Sequence, residues 1–164
     1  YNDIIKKKLV LEPGNNLQYI NKWVNNIEFD NARTSSDALK IVNKYLPDEK
    51  SLVFWISDFH YPLDKIEKIL NLLSTHHVIP IFISSEEEIK KLPKYGFRKF
   101  IDSEKNLEHE IFLRPSIKRK ILSEYSKTKD QIFNVFSKKQ IKQIVLNDKI
   151  DMYEIQKYFL STYI

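Results

Sequence analysis

Residues 52–83 read LVFWISDFHYPLDKIEKILNLLSTHHVIPIFI, and this stretch decides the fold. Leu52 to Ile56 is an unbroken apolar run. It predicts a central strand covered on both faces, because a solvated face would place a polar residue at every second position. The run stops at Ser57-Asp58-Phe59-His60, and Pro62 follows at the start of a helix, where the missing amide hydrogen costs nothing. Leu63, Ile66, Ile69, Leu70 and Leu73 then recur at helical spacing. A second apolar run, Val78 to Ile83, is a second buried strand. Its internal Pro80 removes one ladder donor and predicts local irregularity or incomplete pairing. Strand, helix and strand in so short a span form a right-handed parallel crossover, since parallel neighbours cannot be joined by a tight turn.

Upstream, residues 4–12 (IIKKKLVLE) suit a strand, although three lysines break its alternation, and Pro13-Gly14-Asn15 makes a turn. From Asn16 the residues Leu17, Ile20, Trp23, Val24 and Ile27 mark a helix. A loop, FDNARTSS, precedes a second helix carrying Ala38, Leu39, Ile41, Val42, Tyr45 and Leu46, which Ser35 or Ser36 can cap. Downstream, residues 85–92 predict a short helix with Glu86-Glu87-Glu88 near its positive end. Residues 97–102 and 107–113 predict a hairpin across SEKN. A long amphipathic helix carries Ile117, Ile121, Leu122, Tyr125, Ile132, Phe133 and Phe136 on one stripe. A third parallel strand over 141–146 and a last helix with Met152, Tyr153, Ile155, Tyr158, Phe159 and Leu160 complete the chain. With no internal repeat or linker, residues 1–164 are expected to form a single α/β domain.

Composition excludes several classes of function. The chain has 164 residues, 42% hydrophobic and 30% charged, with a mean hydropathy of −0.44, which suits a globular chain with one real core. Its two glycines, Gly14 and Gly96, lie far apart, so there is no Walker loop or dinucleotide fingerprint, both of which need clustered glycines. Absence of cysteine removes thiolate catalysis, disulfides and Cys-ligated metals. No apolar run reaches a membrane span, and the N-terminus does not read as a secretory signal. Residue 1 is Tyr and the only methionine is Met152, so more chain is expected upstream. Lysine supplies 23 of the 27 basic residues, a bias that lowers the weight of any lysine-rich stretch.

Ligands of open parallel sheets bind beyond the carboxyl ends of the strands. Asp58 stands there, two residues past an apolar strand, with Ser57 beside it. It reads either as a ligand of a hard cation, magnesium or manganese, or as a cap of the following helix. His60, His76, His77 and His109 lack zinc-ligand spacing, and His76 and His77 precede a strand, at the opposite end of the sheet from Asp58. Residues 115–142 hold eight Lys/Arg against two acids. We read them as a solvated helix face rather than a nucleic-acid surface, since only Arg119 is arginine and no stacking pattern accompanies them. No Ser stands on a glycine-flanked elbow, and no second carboxylate is clearly placed beside Asp58.

In order, LVFWISDF, THHVIPIFIS, EEEIKKLPKYGFRKFIDSEKNLEHEIFL, the long basic helix and IVLNDKIDMYEIQKYFL resemble one family. It is the bacterial von Willebrand factor A-like proteins of formerly unknown function, encoded beside MoxR-type AAA ATPases. The resemblance covers the chain from about residue 8 onward. It implies a Rossmann-like von Willebrand A-type domain: a mainly parallel sheet, flanking helices and one inserted hairpin. It also implies a metal-ion-dependent adhesion site, in which Thr34, in ARTSSDAL, matches the loop threonine and Asp58 the strand-end aspartate. The DxSxS motif of that site has no match, which implies that the first strand lies upstream of Tyr1 and that residues 1–164 are an N-terminally incomplete domain. Magnesium or manganese is then expected only if the missing strand supplies the other ligands. The function implied is a non-enzymatic, metal-assisted adaptor for a MoxR-type ATPase and its client proteins. The expected placement is cytoplasmic, with membrane association only through the parent protein. The alternative is a metal-dependent phosphoesterase or hydrolase using Asp58 and His60.

Overall fold

A computed structural model describes residues 17–26, 42, 44–84, 86–102, 107–147 and 151–163. The elements are α1 (Leu17–Asn25), β1 (Leu52–Ser57), α2 (Leu63–Leu72), β2 (His77–Ile83), α3 (Glu86–Lys91), β3 (Gly96–Asp102), β4 (Leu107–Leu113), α4 (Pro115–Lys138), β5 (Ile144–Leu146) and α5 (Met152–Tyr163). The fold is mixed α/β, with a parallel three-stranded sheet of order β1-β2-β5, flanking helices, and β3-β4 as a separate antiparallel pair. The strand over 4–12, the loop over 29–36 with Thr34, and most of the helix over 38–46 lie outside the described residues. Among the described residues no helix is long and apolar enough to cross a membrane.

The parallel crossover forms as its pattern demands. Register pairs Val53 with Val78, Trp55 with Pro80 and Ser57 with Phe82, so one face of both strands meets α2 and α4. There Trp55, Phe59, Ile66, Ile69, Leu70, Leu73, Phe82, Ile132, Val135 and Phe136 make the core. Aromatic rings knit its middle: Phe59 lies 4.7 Å from Trp55, 5.2 Å from Phe136 edge-on and 6.0 Å from Phe82.

Pro80 behaves as its chemistry requires. The His77 N–H donates to the Ser51 carbonyl on the β1 side, and the Ser84 N–H donates to the Leu146 carbonyl on the β5 side. Alternation along β2 therefore points the Pro80 nitrogen toward β5. Pairing with β5 begins only at Ile81, one residue later, so the missing hydrogen leaves no gap in a ladder.

β1 departs from expectation. Among the described strands it is an edge and not a centre. Its even-numbered residues are open: Leu52 is 48% exposed, Phe54 47% and Ile56 60%, against 7% for Trp55. β5 is also shorter than the expected span over 141–146, because the Ile141 N–H closes the end of α4 on the Phe136 carbonyl and the Lys142 carbonyl accepts from the Tyr158 hydroxyl.

Of the remaining elements, α3 is held by α4. Lys118 donates to the carbonyls of Lys90 (2.6 Å) and Leu92 (2.5 Å), neutralising the end of α3. Lys129 stands 3.9 Å from Glu86 and near the rings of Phe82 and Phe133. In the hairpin, Phe97 packs against its cross-strand partner Phe112 at 4.9 Å, and both remain largely exposed.

Candidate functional site

Asp58 stands where the sequence puts it, just past the carboxyl end of β1 on a turn that runs to Pro62. The turn is built around Phe59. Its backbone takes φ = 54°, and its ring is fully buried in the core. Driving one bulky residue inward at a positive φ throws its neighbours, Asp58 and His60, outward, with side chains 50% and 55% exposed. Burial of the ring offsets the cost of that left-handed backbone.

The two outward residues clasp each other. Asp58 Oδ2 lies 3.0 Å from His60 Nδ1, and Oδ1 accepts from the His60 N–H at 3.3 Å. Ser57 Oγ accepts from the Phe59 N–H at 3.0 Å and lies within hydrogen-bonding distance of the Tyr61 hydroxyl (3.2 Å) and Asp58 Oδ1 (3.4 Å). Asp58 thus makes an Asx turn, its side chain bonding its own backbone two residues on. The helix-capping reading is corrected: the N-cap of α2 is Pro62, with no side-chain cap bond. The cation reading meets a donor set already in use, since both Asp58 oxygens serve local donors. Among the described residues no group of three His, Cys, Asp or Glu converges on a metal position. These residues do not by themselves fit magnesium or manganese, and Thr34, the other matched ligand, lies outside the described residues.

The histidines are dispersed. His60 is at the carboxyl end of β1, His109 sits opposite Phe100 in the hairpin, and His76 and His77 lie at the other end of the sheet. The His76 Nδ1 accepts from the Ser51 N–H at 3.3 Å. Of the eight basic residues over 115–142, Lys118, Lys129, Lys139 and Lys142 contact the protein itself.

Two features escaped the sequence reading. One is the strand that carries the open apolar side: an uncovered sheet edge is expected where the first strand is missing, and it falls at β1, continued on β2 by Ile83 at 46% exposure. An apolar run looks the same in an edge strand and a central one, so only strand order reveals it. The other is a cleft at the amino ends of the strands, bounded by the turns after α2 and α4 and by α5. No motif marks it, because its residues come from three distant segments. The chain matches no protein-family model, no characterised protein and no solved structure.

Proposed function

We propose that the chain is a non-enzymatic protein-interaction module of the von Willebrand A type, an adaptor for a MoxR-type AAA ATPase in the assembly or activation of protein complexes. The observation that carries this reading is the open side of β1. Leu52, Phe54 and Ile56 stand half-exposed on a strand that is an edge among the described residues and whose other face is packed. An apolar edge left open invites association, and soluble proteins usually blunt such edges with charge, proline or a covering element. The parallel α/β frame is compatible with the resemblance, and the partner is the one that the resemblance implies. Docking on β1 calls for no metal step. Any magnesium or manganese contribution calls for ligands beyond Asp58, Thr34 among them.

Calorimetric titration of the purified MoxR-type ATPase into this chain tests the proposal. Ile56→Lys is expected to weaken binding about tenfold or more, as for a buried interface anchor, while leaving the melting temperature nearly unchanged. Absence of binding by the wild-type chain, or unchanged affinity in Ile56→Lys, would overturn it.

The alternative, a metal-dependent phosphoesterase or hydrolase using Asp58 and His60, calls for metal ligands beyond these two residues, whose 3.0 Å contact with each other already engages the Asp58 carboxylate. Turnover of p-nitrophenyl phosphate with manganese, lost in His60→Ala, would support it. No turnover above the metal-only background would retire it.

A further inference from the structure

We propose that the cleft at the amino ends of the strands binds a small organic phosphate with an apolar body. The cleft has a volume of about 600 Å³, within the range of roughly 300–1,000 Å³ usual for small-molecule sites. Leu70, Leu73, Ile79 and Ile141 give it an apolar floor, while His76, Lys139, Gln140 and Lys142 supply polar nitrogen. No carboxylate of the described residues lines it. The two ammonium groups spend little on the protein: Lys139 donates to the Asn71 side-chain oxygen at 2.6 Å, and Lys142 reaches the Ser161 carbonyl at 3.4 Å. Each ammonium carries three donors, and neither meets an acid among the described residues.

The ends of α2 and α4 also face this region, and their carbonyls oppose an anion. Backbone amides already bond them. Leu73 and His76 N–H groups donate to Ile69 and Leu73 carbonyls, while Gln140 and Ile141 N–H groups donate to Ser137 and Phe136 carbonyls. The lysines are therefore not needed as caps of α2 or α4, although Lys142 reaches the Ser161 carbonyl in the last turn of α5. Two mobile point charges without an arginine fork suit a tetrahedral, multiply charged phosphate better than a planar carboxylate.

Gln140 adds an independent observation. It occupies the left-handed position of the Schellman turn that ends α4, with φ = 58°, where glycine is the usual choice. Phe59, the other non-glycine residue with positive φ among the described residues, has a buried ring to offset its strain. Gln140 is exposed and has no such compensation in packing. A side chain kept at a strained position on the wall of a polar cleft points to a task there.

The test is an amide NMR titration of the full chain with phenyl phosphate, run beside inorganic phosphate and phenol. Saturable shifts are expected at His76, Lys139 and Gln140, with phenyl phosphate binding more tightly than either comparator. Lys142→Ala is expected to weaken phenyl phosphate about tenfold. Gln140→Gly, which relieves strain and keeps the fold, is expected to weaken it several-fold, and Lys127→Ala, outside the cleft, to leave it unchanged. Shifts scattered over lysines elsewhere, equal affinity for phenyl and inorganic phosphate, or full affinity in Lys142→Ala would overturn the proposal.

Discussion

Phe59 and Gln140 share a left-handed backbone and differ in what holds them there. Phe59 sits between Trp55, Phe82 and Phe136 with no exposed surface, so its ring anchors the turn that presents Asp58 and His60. Phe59→Ala is expected to lower stability by about 3–5 kcal/mol, read as a fall in the urea midpoint, because it opens a cavity and keeps the strained backbone. Gln140→Gly is expected to do the opposite, raising stability by about 1 kcal/mol in the same measurement. The special position of Asp58 was legible, since an acid just past an apolar strand stands out. Its role was not. Whether a carboxylate binds a cation, caps a helix or braces a turn depends on the direction of amides that the sequence does not display. Gln140 gave no signal at all, because nothing in KKQIK marks a left-handed residue.

Among the described residues, apolar spacing located the helices and strands well, because burial of one face is what makes each of them stable. The hairpin, the long helix after Pro115 and the proline-bearing strand all appear where their patterns place them. Boundaries failed where a side chain or turn outbid the pattern, as at Ile141, whose amide is taken by the end of α4. Lysine spacing showed none of the roles that α4 gives Lys118 and Lys129, since their partners lie 26 to 43 residues away. The α3–α4 contact also carries a pH signature. Glu86 accepts from Lys90 at 2.9 Å and feels Lys129 at 3.9 Å, and the Lys90 hydrogen bond and charge hold its carboxyl below the ordinary value. A lowered folded-state pKa stabilises the protein above the unfolded value of 4.5 and stops doing so as pH falls through the folded value. Because these groups are 39–50% exposed, Glu86→Gln is expected to cost only about 0.3–0.5 kcal/mol at pH 7. Thermal melts should show that difference vanish in strong acid.

At the scale of the whole molecule, the sheet is apolar on both faces, and α2 and α4 pack against the one formed by Val53, Trp55 and Phe82. The continuous run over 52–56 predicted two covered faces, and the described residues leave one of them half-open at β1. Strand order is a property of long-range pairing, so an edge can carry the sequence of a centre until a partner covers it. With the Asp58 oxygens engaged by His60 and Ser57, magnesium or manganese titrated into this chain is expected to give no heat that Asp58→Ala abolishes. Heat abolished by that substitution would restore a cation role.

Docking through β1 is tested most directly by amide hydrogen exchange with and without the MoxR-type ATPase. The Val53, Trp55 and Ser57 amides face β2, since the Ser51 carbonyl does, so those of Leu52, Phe54 and Ile56 face the open edge. Slowed exchange at Leu52, Phe54 and Ile56 on adding the ATPase is the predicted result. Unchanged exchange there, with the ATPase bound elsewhere or not at all, would contradict it.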